Sequence, residues 1–261
     1  MRIRAILLIL LLTFPDAVLL ASDRAKEQRW AEQIVDALLV GEAEWLSADG
    51  AKFLAIYAEP DAPQARGAAI LLHGIGVHPD WPEVVSPLRT GLPEHGWATL
   101  SLQMPVLPNE ATLRDYVPLF AEVPARIQAG IAFLRKRKFD NIVIIAHSLG
   151  AAMGATFLAA HPDSGTRAFV AIGMSALNED PRMSTLRALS KIHLPVLDLY
   201  GSRDLEQVLN SAGARADAAR TAANKTYLQE RVEGADHFFR GMDDTLVTRV
   251  NGWIGDIKKT K

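Results

Sequence analysis

The sequence predicts an α/β fold in which helices cover both faces of a mostly parallel sheet. Short apolar runs alternate with helical segments along the 261 residues, a pattern typical of right-handed βαβ units. The run 141–146 is continuous in Ile and Val, as expected of a strand buried on both faces. The next segment has small residues, among them Gly150 and Ala151, which let a helix lie close to a sheet. No repeat or linker interrupts this pattern, so a single domain over residues 22–261 is expected.

The predicted elements follow one another in a regular order. A first helix carries apolar residues at Trp30, Ile34 and Leu38 and ends near Gly41. Further helices are predicted around 127–134, directly after the run 141–146 and at about 183–191, 205–223 and 244–257. The predicted strands cover 51–57, 68–72, 97–102, 141–146, 168–172, 195–200 and 225–232. In such a sheet, ligands bind at the carboxyl ends of the strands.

The first 21 residues have the features of a signal peptide. Two arginines precede an apolar run from Ala5 to Phe14, and Ala21 precedes the first polar residues of the remaining chain. The run is shorter than the about 20 residues that a membrane span needs. Cleavage after Ala21 and export to a bacterial periplasm are therefore expected. Leu19, the third residue before this cleavage site, is larger than the small residue preferred at that position. An uncleaved N-terminal anchor is the alternative.

Composition bears on partners and cofactors. The formal net charge is −2, so neither nucleic acid nor an anionic membrane is expected as a partner, because both bind basic surfaces. No cysteine occurs, which excludes disulfides and a lipoprotein anchor. No metal is expected because no His and carboxylate cluster has ligand spacing, and the lack of a Gly-x-Gly-x-x-Gly loop argues against a dinucleotide cofactor.

The candidate nucleophile lies between a buried strand and a helix, in the sequence Ala146-His147-Ser148-Leu149-Gly150. In this position a small-x-Ser-x-small pattern predicts a sharp turn that exposes the serine hydroxyl. Ala146 stands where glycine is usual, but its side chain is still small. The helix start favours the negative charge that develops there. Ser148 is therefore the candidate nucleophile, with an ordinary helix N-cap as the alternative role.

A glycine-rich motif, His73-Gly74-Ile75-Gly76, ends an earlier strand. Its glycines let the backbone approach a reacting carbonyl. The amides of Ile75 and Leu149 are expected to form an oxyanion hole, with Gly74 beside the substrate. A plain glycine-rich turn is the alternative, and His73 is expected to bond the loop instead of acting as a base.

Two later loops supply the remaining groups. Asp204 follows strand 195–200 and can accept the Nδ1 proton of a histidine, which holds its tautomer. Asp198 is a weaker candidate, because inside the strand its side chain faces a helix layer. His237, between the last strand and the last helix, is the candidate base. A cap on the following helix is the alternative role for Asp204.

The order Ser148, Asp204, His237 on successive strand ends is that of the α/β-hydrolases, and the chain resembles this family from about residue 51 to 257. The stretch 73–97 and the Gly-Ala-Asp-His-Phe-Phe ending are similar to an uncharacterised group of exported bacterial members. The resemblance implies the α/β-hydrolase fold and the triad but supplies no substrate.

The motifs together predict an exported serine hydrolase that forms an acyl-enzyme. His237 would take the proton of Ser148 as it attacks a carbonyl, the two amides would hold the oxyanion, and protonated His237 would assist the leaving group. A small-molecule carboxylic ester is expected as substrate before a peptide or amide. The alternative from another class is a non-catalytic scaffold that binds a ligand or a cell-envelope partner.

The predicted site is open. Only one helix fits between Gly173 and Leu194, where many members of the fold insert a lid, so a minimal lid is expected. Candidate substrate-binding residues are Met174, with Leu177 and Met183, on one side and His78, Trp81 and the 79–87 loop on the other.

Overall fold

The computed structural model describes residues 22–62 and 64–257. The predicted signal peptide, residues 1–21, lies outside the described residues, so cleavage and export stay predictions. Within the described part of the chain no single helix is long and apolar enough to span a membrane. One bent pair, Leu113–Ala121 with Val123–Lys136, meets those criteria of length and composition only when its two helices are joined.

Eight strands form one mixed sheet with helices around it. The strands are β1 (Glu42–Ala48), β2 (Ala51–Ala58), β3 (Gly67–Leu72), β4 (Trp97–Leu102), β5 (Ile142–His147), β6 (Thr166–Ile172), β7 (Val196–Arg203) and β8 (Tyr227–Asp236). Their spatial order is β1-β2-β4-β3-β5-β6-β7-β8. The β1–β2 and β2–β4 pairs are antiparallel and the others parallel, which confirms the predicted sheet type.

The helices cover both faces of this sheet. They are α1 (Arg24–Ala37), α2 (Val85–Gly91), α3 (Val123–Lys136), α4 (Leu149–Ala160), α5 (Thr185–Leu189), α6 (Glu206–Thr221) and α7 (Asp243–Asp256), with 3₁₀ helices at Leu92–His95 and Leu113–Ala121. Ile144 of β5 packs in one core cluster with α3 and α4, whereas Val143 and Ile145 pack in another with α2 and α7. Burial on both faces explains the continuous apolar run, since each large apolar side chain so buried stabilises the fold by about 1.5–3 kcal/mol.

One strand and one α-helix were missed in the sequence, besides the two 3₁₀ helices. The edge strand β1 is largely exposed, including Glu42 and 43% of Trp45, so it has neither an apolar run nor a clean alternation. Helix α2 begins inside the predicted 79–87 loop. The first helix also ends at Ala37 instead of near Gly41. By contrast, the β6–β7 connection contains only the short helix α5 in its middle, as the minimal lid predicts.

Candidate active site

Ser148 lies on a strained turn between β5 and α4. Its backbone has φ 55° and ψ −120°, a region that costs a non-glycine residue about 1–3 kcal/mol. Ser148 is the residue before α4, yet its side chain makes no capping bond to the helix, so the N-cap alternative is not what the structure shows. Ala146 is accommodated in β5 between Leu72 and Ala171. At Gly150 a Cβ would lie 2.7 Å from the Leu72 carbonyl oxygen, which explains why the second small residue is glycine.

The structure brings Ser148, His237 and Asp204 together in the predicted order. His237 Nε2 lies 3.0 Å from Ser148 Oγ, and His237 Nδ1 lies 2.6 Å from Asp204 Oδ1. The Asp204 carboxylate also accepts the backbone N–H of Leu205 at 2.7 Å and of Gly201 at 3.2 Å. These bonds hold the carboxylate toward the imidazole, so Nδ1 carries the proton and Nε2 is free to accept one from the serine.

Asp236 orders the loop that carries His237, and Gly173 lies against the His237 ring. The Asp236 side chain accepts the backbone N–H groups of Phe238 and Arg240, which closes the loop after β8. On the other side is Gly173, with φ 60°, where a Cβ would lie 2.9 Å from both Cε1 and Nδ1 of His237. Only glycine tolerates both this backbone conformation and this approach.

The two predicted oxyanion-hole residues both line the cavity beside Ser148. Leu149 is the first residue of α4, where backbone N–H groups have no partner inside the helix. Ile75 approaches from the loop after β3, and Gly74 lies so close that a Cβ there would be 3.3 Å from the Ser148 Cβ. Both residues thus border the cavity next to the serine, the position that a pair of oxyanion-hole residues requires.

His73 bonds the loop that carries these amides, as predicted. Its Nδ1–H donates to the Gly74 carbonyl at 2.8 Å and its Nε2 accepts the Met104 N–H at 2.9 Å. Complete burial lowers the pKa of His73 to about 3. A neutral imidazole with both nitrogens engaged is a structural group, not a base.

His147 has a contact that the sequence did not reveal. Its side chain was expected to leave the turn in another direction than the serine, but it lines the same cavity, and its Nε2–H donates to the backbone carbonyl of His237 at 2.9 Å. Burial, together with the neighbouring His237, lowers the pKa of His147 to about 4. The residue before the nucleophile therefore fixes the loop of the base as a neutral donor, a long-range contact without a local signature.

A cavity of about 310 Å³ opens above these groups. Gly74 and Trp81 line it as predicted, but Met174 and His78 do not. Met174 is fully buried in the core beneath, and Met183 joins it there. His78 stacks edge-on between the rings of Trp30 and Trp81 and so lies behind the wall. The other side-chain walls are Val77, Leu113, Leu177, Leu205 and Phe238, with His147, Ser175 and Gln207 as polar members.

Solved structures share this architecture. Est1E from Butyrivibrio proteoclasticus aligns with a TM-score of 0.63 at 18% identity, over 83% of this chain and 98% of that chain. A dienelactone hydrolase from Anabaena variabilis gives 0.65 at 18%, over 84% and 98%. XC6422 from Xanthomonas campestris, described as a serine hydrolase without a lid, gives 0.62 at 19%, over 85% and 97%. The chain therefore has the α/β-hydrolase fold.

A sequence comparison identifies the family of this chain. A family model described as a protein of unknown function, DUF3530, matches residues 20–121 and 118–256, and the chain belongs to that family. No curated protein matches the chain in sequence.

Proposed function

We propose that the protein is a serine hydrolase that cleaves carboxylic esters, and that it acts after export. One observation carries the chemistry: the Ser148 hydroxyl lies 3.0 Å from His237 Nε2, while His237 Nδ1 lies 2.6 Å from a buried carboxylate. Nucleophile, base and orienting group are thus in hydrogen-bond reach of one another at the floor of a cavity.

The proposed reaction has two halves. As Ser148 Oγ attacks the ester carbonyl, His237 Nε2 takes its proton, and the amides of Ile75 and Leu149 stabilise the oxyanion. Collapse of the tetrahedral intermediate transfers that proton to the leaving alcohol and leaves an acyl group on Ser148. Water, activated by His237, then releases the acid and restores the serine.

The cavity wall supports a neutral, apolar substrate. Among the described residues that line it there is no Lys, Arg, Asp or Glu. A charged acyl group would lose its hydration there without gaining a partner, which is costly. Its volume of about 310 Å³ suits a small ester. Two similar structures support an ester as well: Est1E, solved with ferulic acid bound, and a dienelactone hydrolase, whose named substrate is a cyclic ester.

A fluorophosphonate probe tests the chemistry before any substrate is known. The purified protein should be labelled at Ser148, as read by mass spectrometry, and both Ser148→Ala and His237→Ala should lose labelling while keeping their circular dichroism. No labelling of the folded protein would favour a ligand-binding scaffold. Matched ester and amide substrates then test the bond, and faster amide hydrolysis would contradict the ester assignment.

A further inference from the structure

A buried charge cluster lies beside the first described residue, away from the cavity. Arg126 on α3 donates from Nη1 to Glu27 Oε2 and from Nη2 to Glu27 Oε1, each at 3.0 Å. Its Nη2 also lies 3.4 Å from Oε2 of Glu122, the residue before α3. The side chains of Arg126 and Glu27 are 4% and 8% exposed, and that of Glu122 is 19% exposed.

Ser22 is part of this cluster through both of its donors. Its backbone N lies 2.8 Å from Glu122 Oε1, and its hydroxyl donates to Glu122 Oε2 at 2.8 Å. Arg126 Nη2 donates to the same hydroxyl at 3.2 Å. Ser22 is itself 6% exposed, so its backbone nitrogen is enclosed by the cluster.

The cluster carries unequal charges. The two carboxylates of Glu27 and Glu122 face one guanidinium, which leaves one negative charge in excess when all three ionise. Burial raises the pKa of Glu27, and the charge of Glu122 adds to that rise. Lys26 does not compensate, because its Nζ binds the Leu107 carbonyl and Asn109. Buried charges are stable when they are paired, so the cluster lacks one cation.

We propose that cleavage after Ala21 supplies that cation, and that the new Ser22 α-ammonium pairs with Glu122 to complete the cluster. Hydrolysis of the Ala21–Ser22 bond consumes one water and leaves a carboxylate on Ala21 and an ammonium on Ser22. Two carboxylates then face two cations. The inference rests on the proposed export and not on the proposed chemistry. It assigns the processing site to a peptidase that cuts after small residues.

The first arm of the test identifies the terminus. The full-length chain is produced in a secreting bacterial host, and the mature protein is analysed by intact mass and N-terminal sequencing. A start at Ser22 is expected. A start at any other residue, or an uncut chain, would overturn the proposal, because its ammonium would not lie at Glu122.

The second arm separates the charge from the hydrogen bond. Cytosolic expression of Met followed directly by Ser22 exposes Ser22 after Met removal, and a co-expressed Nα-acetyltransferase gives the acetylated form. The acetylated terminus keeps the N–H donor but loses the charge. Acetylation should raise the equilibrium constant for unfolding about five- to tenfold, the usual difference between charge-assisted and neutral hydrogen bonds.

Matched variants locate the effect. In Glu122→Gln the two forms should unfold alike, whereas in Glu32→Gln, an exposed carboxylate on α1, the full difference should remain. Equal stability of the two forms in the unsubstituted chain, or an equal loss in Glu122→Gln, would overturn the pairing. Probe labelling of Ser148 in the same samples reports separately on the proposed chemistry.

Discussion

Two buried aspartates, one inside strand β7 and one directly after it, have different partners. Asp198, inside the strand, accepts Arg215 Nε at 2.7 Å and Nη2 at 3.2 Å, and also Tyr227 Oη at 2.6 Å. Asp204, just past the strand end, accepts backbone N–H groups and the imidazole of His237. A permanent cation satisfies the first carboxylate, whereas the second binds a group that can gain and lose a proton. Position along one strand thus separates a structural carboxylate from one suited to catalysis.

The largest expected difference between Asp204 and Asp198 is in their effect on kcat. Asp204→Asn keeps the size of the side chain but favours the wrong imidazole tautomer, so kcat for an ester should fall by about 10⁴-fold. Steady-state kinetics on an active ester, with a denaturation curve as control for folding, measures this. A loss smaller than tenfold would mean that Asp204 does not orient His237.

The second difference is in stability. Arg215→Met leaves the Asp198 charge buried without its cation and should lower the free energy of unfolding by about 3–5 kcal/mol. Urea denaturation measures this loss, while probe labelling per folded molecule should stay unchanged. In the double variant Asp198→Leu/Arg215→Met only part of the stability should return, because no charge is left buried but Tyr227 Oη and Gln229 Nε2 lose their acceptor. A labelling defect in the folded variants would contradict the separation of roles.

A smaller effect is expected at the contact that positions the base. In Gly173→Ala the new Cβ would come 2.9 Å from the His237 ring, and displacement of the ring should lower kcat/KM by about 100-fold. Gly213→Ala on α6 is the matched control, because nothing lies within 4 Å of its Cβ. That control should keep its activity and gain about 0.4–1 kcal/mol of stability. Equal activity of both variants would show that the ring has room to move.

The smallest effect is on the pH dependence of stability and comes from the two buried histidines beside Ser148. His73 and His147 have folded pKa values of about 3 and about 4, below the value of about 6.5 in the unfolded chain. Their stabilising contribution is present above about pH 6.5 and is lost as the pH falls toward the folded values, by about 1.4 kcal/mol per unit for each histidine. Denaturation at pH 7 and 5.5 should show this loss, and His147→Gln should show less of it. A pH-independent stability would contradict the neutral histidines.

Local patterns were sufficient to predict the centre of the molecule. The strand before Ser148, the small residues around it and the loops with Asp204 and His237 depend on neighbours in sequence, and the structure places all three side chains within reach. Long-range packing was not predictable. His78 has the same loop position as a lining residue, but the ring of Trp30 from α1 holds it behind Trp81.

Residues of similar chemistry can also differ in how deeply they are buried. Met174 and Leu177 are close in sequence and both apolar, yet Met174 enters the core and Leu177 reaches the cavity. Edge strand β1 was missed for the opposite reason, since solvent on its outer side removes the apolar pattern. The sequence thus predicts which groups carry the chemistry better than which surfaces enclose the substrate.

The close approach of Gly150 to the end of β3 means that one side of the cavity tolerates less substitution than the other. Because α4 contacts the end of β3 at Gly150, Ser148 and the loop that carries Ile75 are packed tightly together, and larger residues are not tolerated at this contact. The opposite side is built by loop and helix-end side chains, including Leu113, Leu177, Leu205 and Phe238. Under the proposed function, substitution of these side chains would change the substrate without disturbing Ser148, His237 and Asp204.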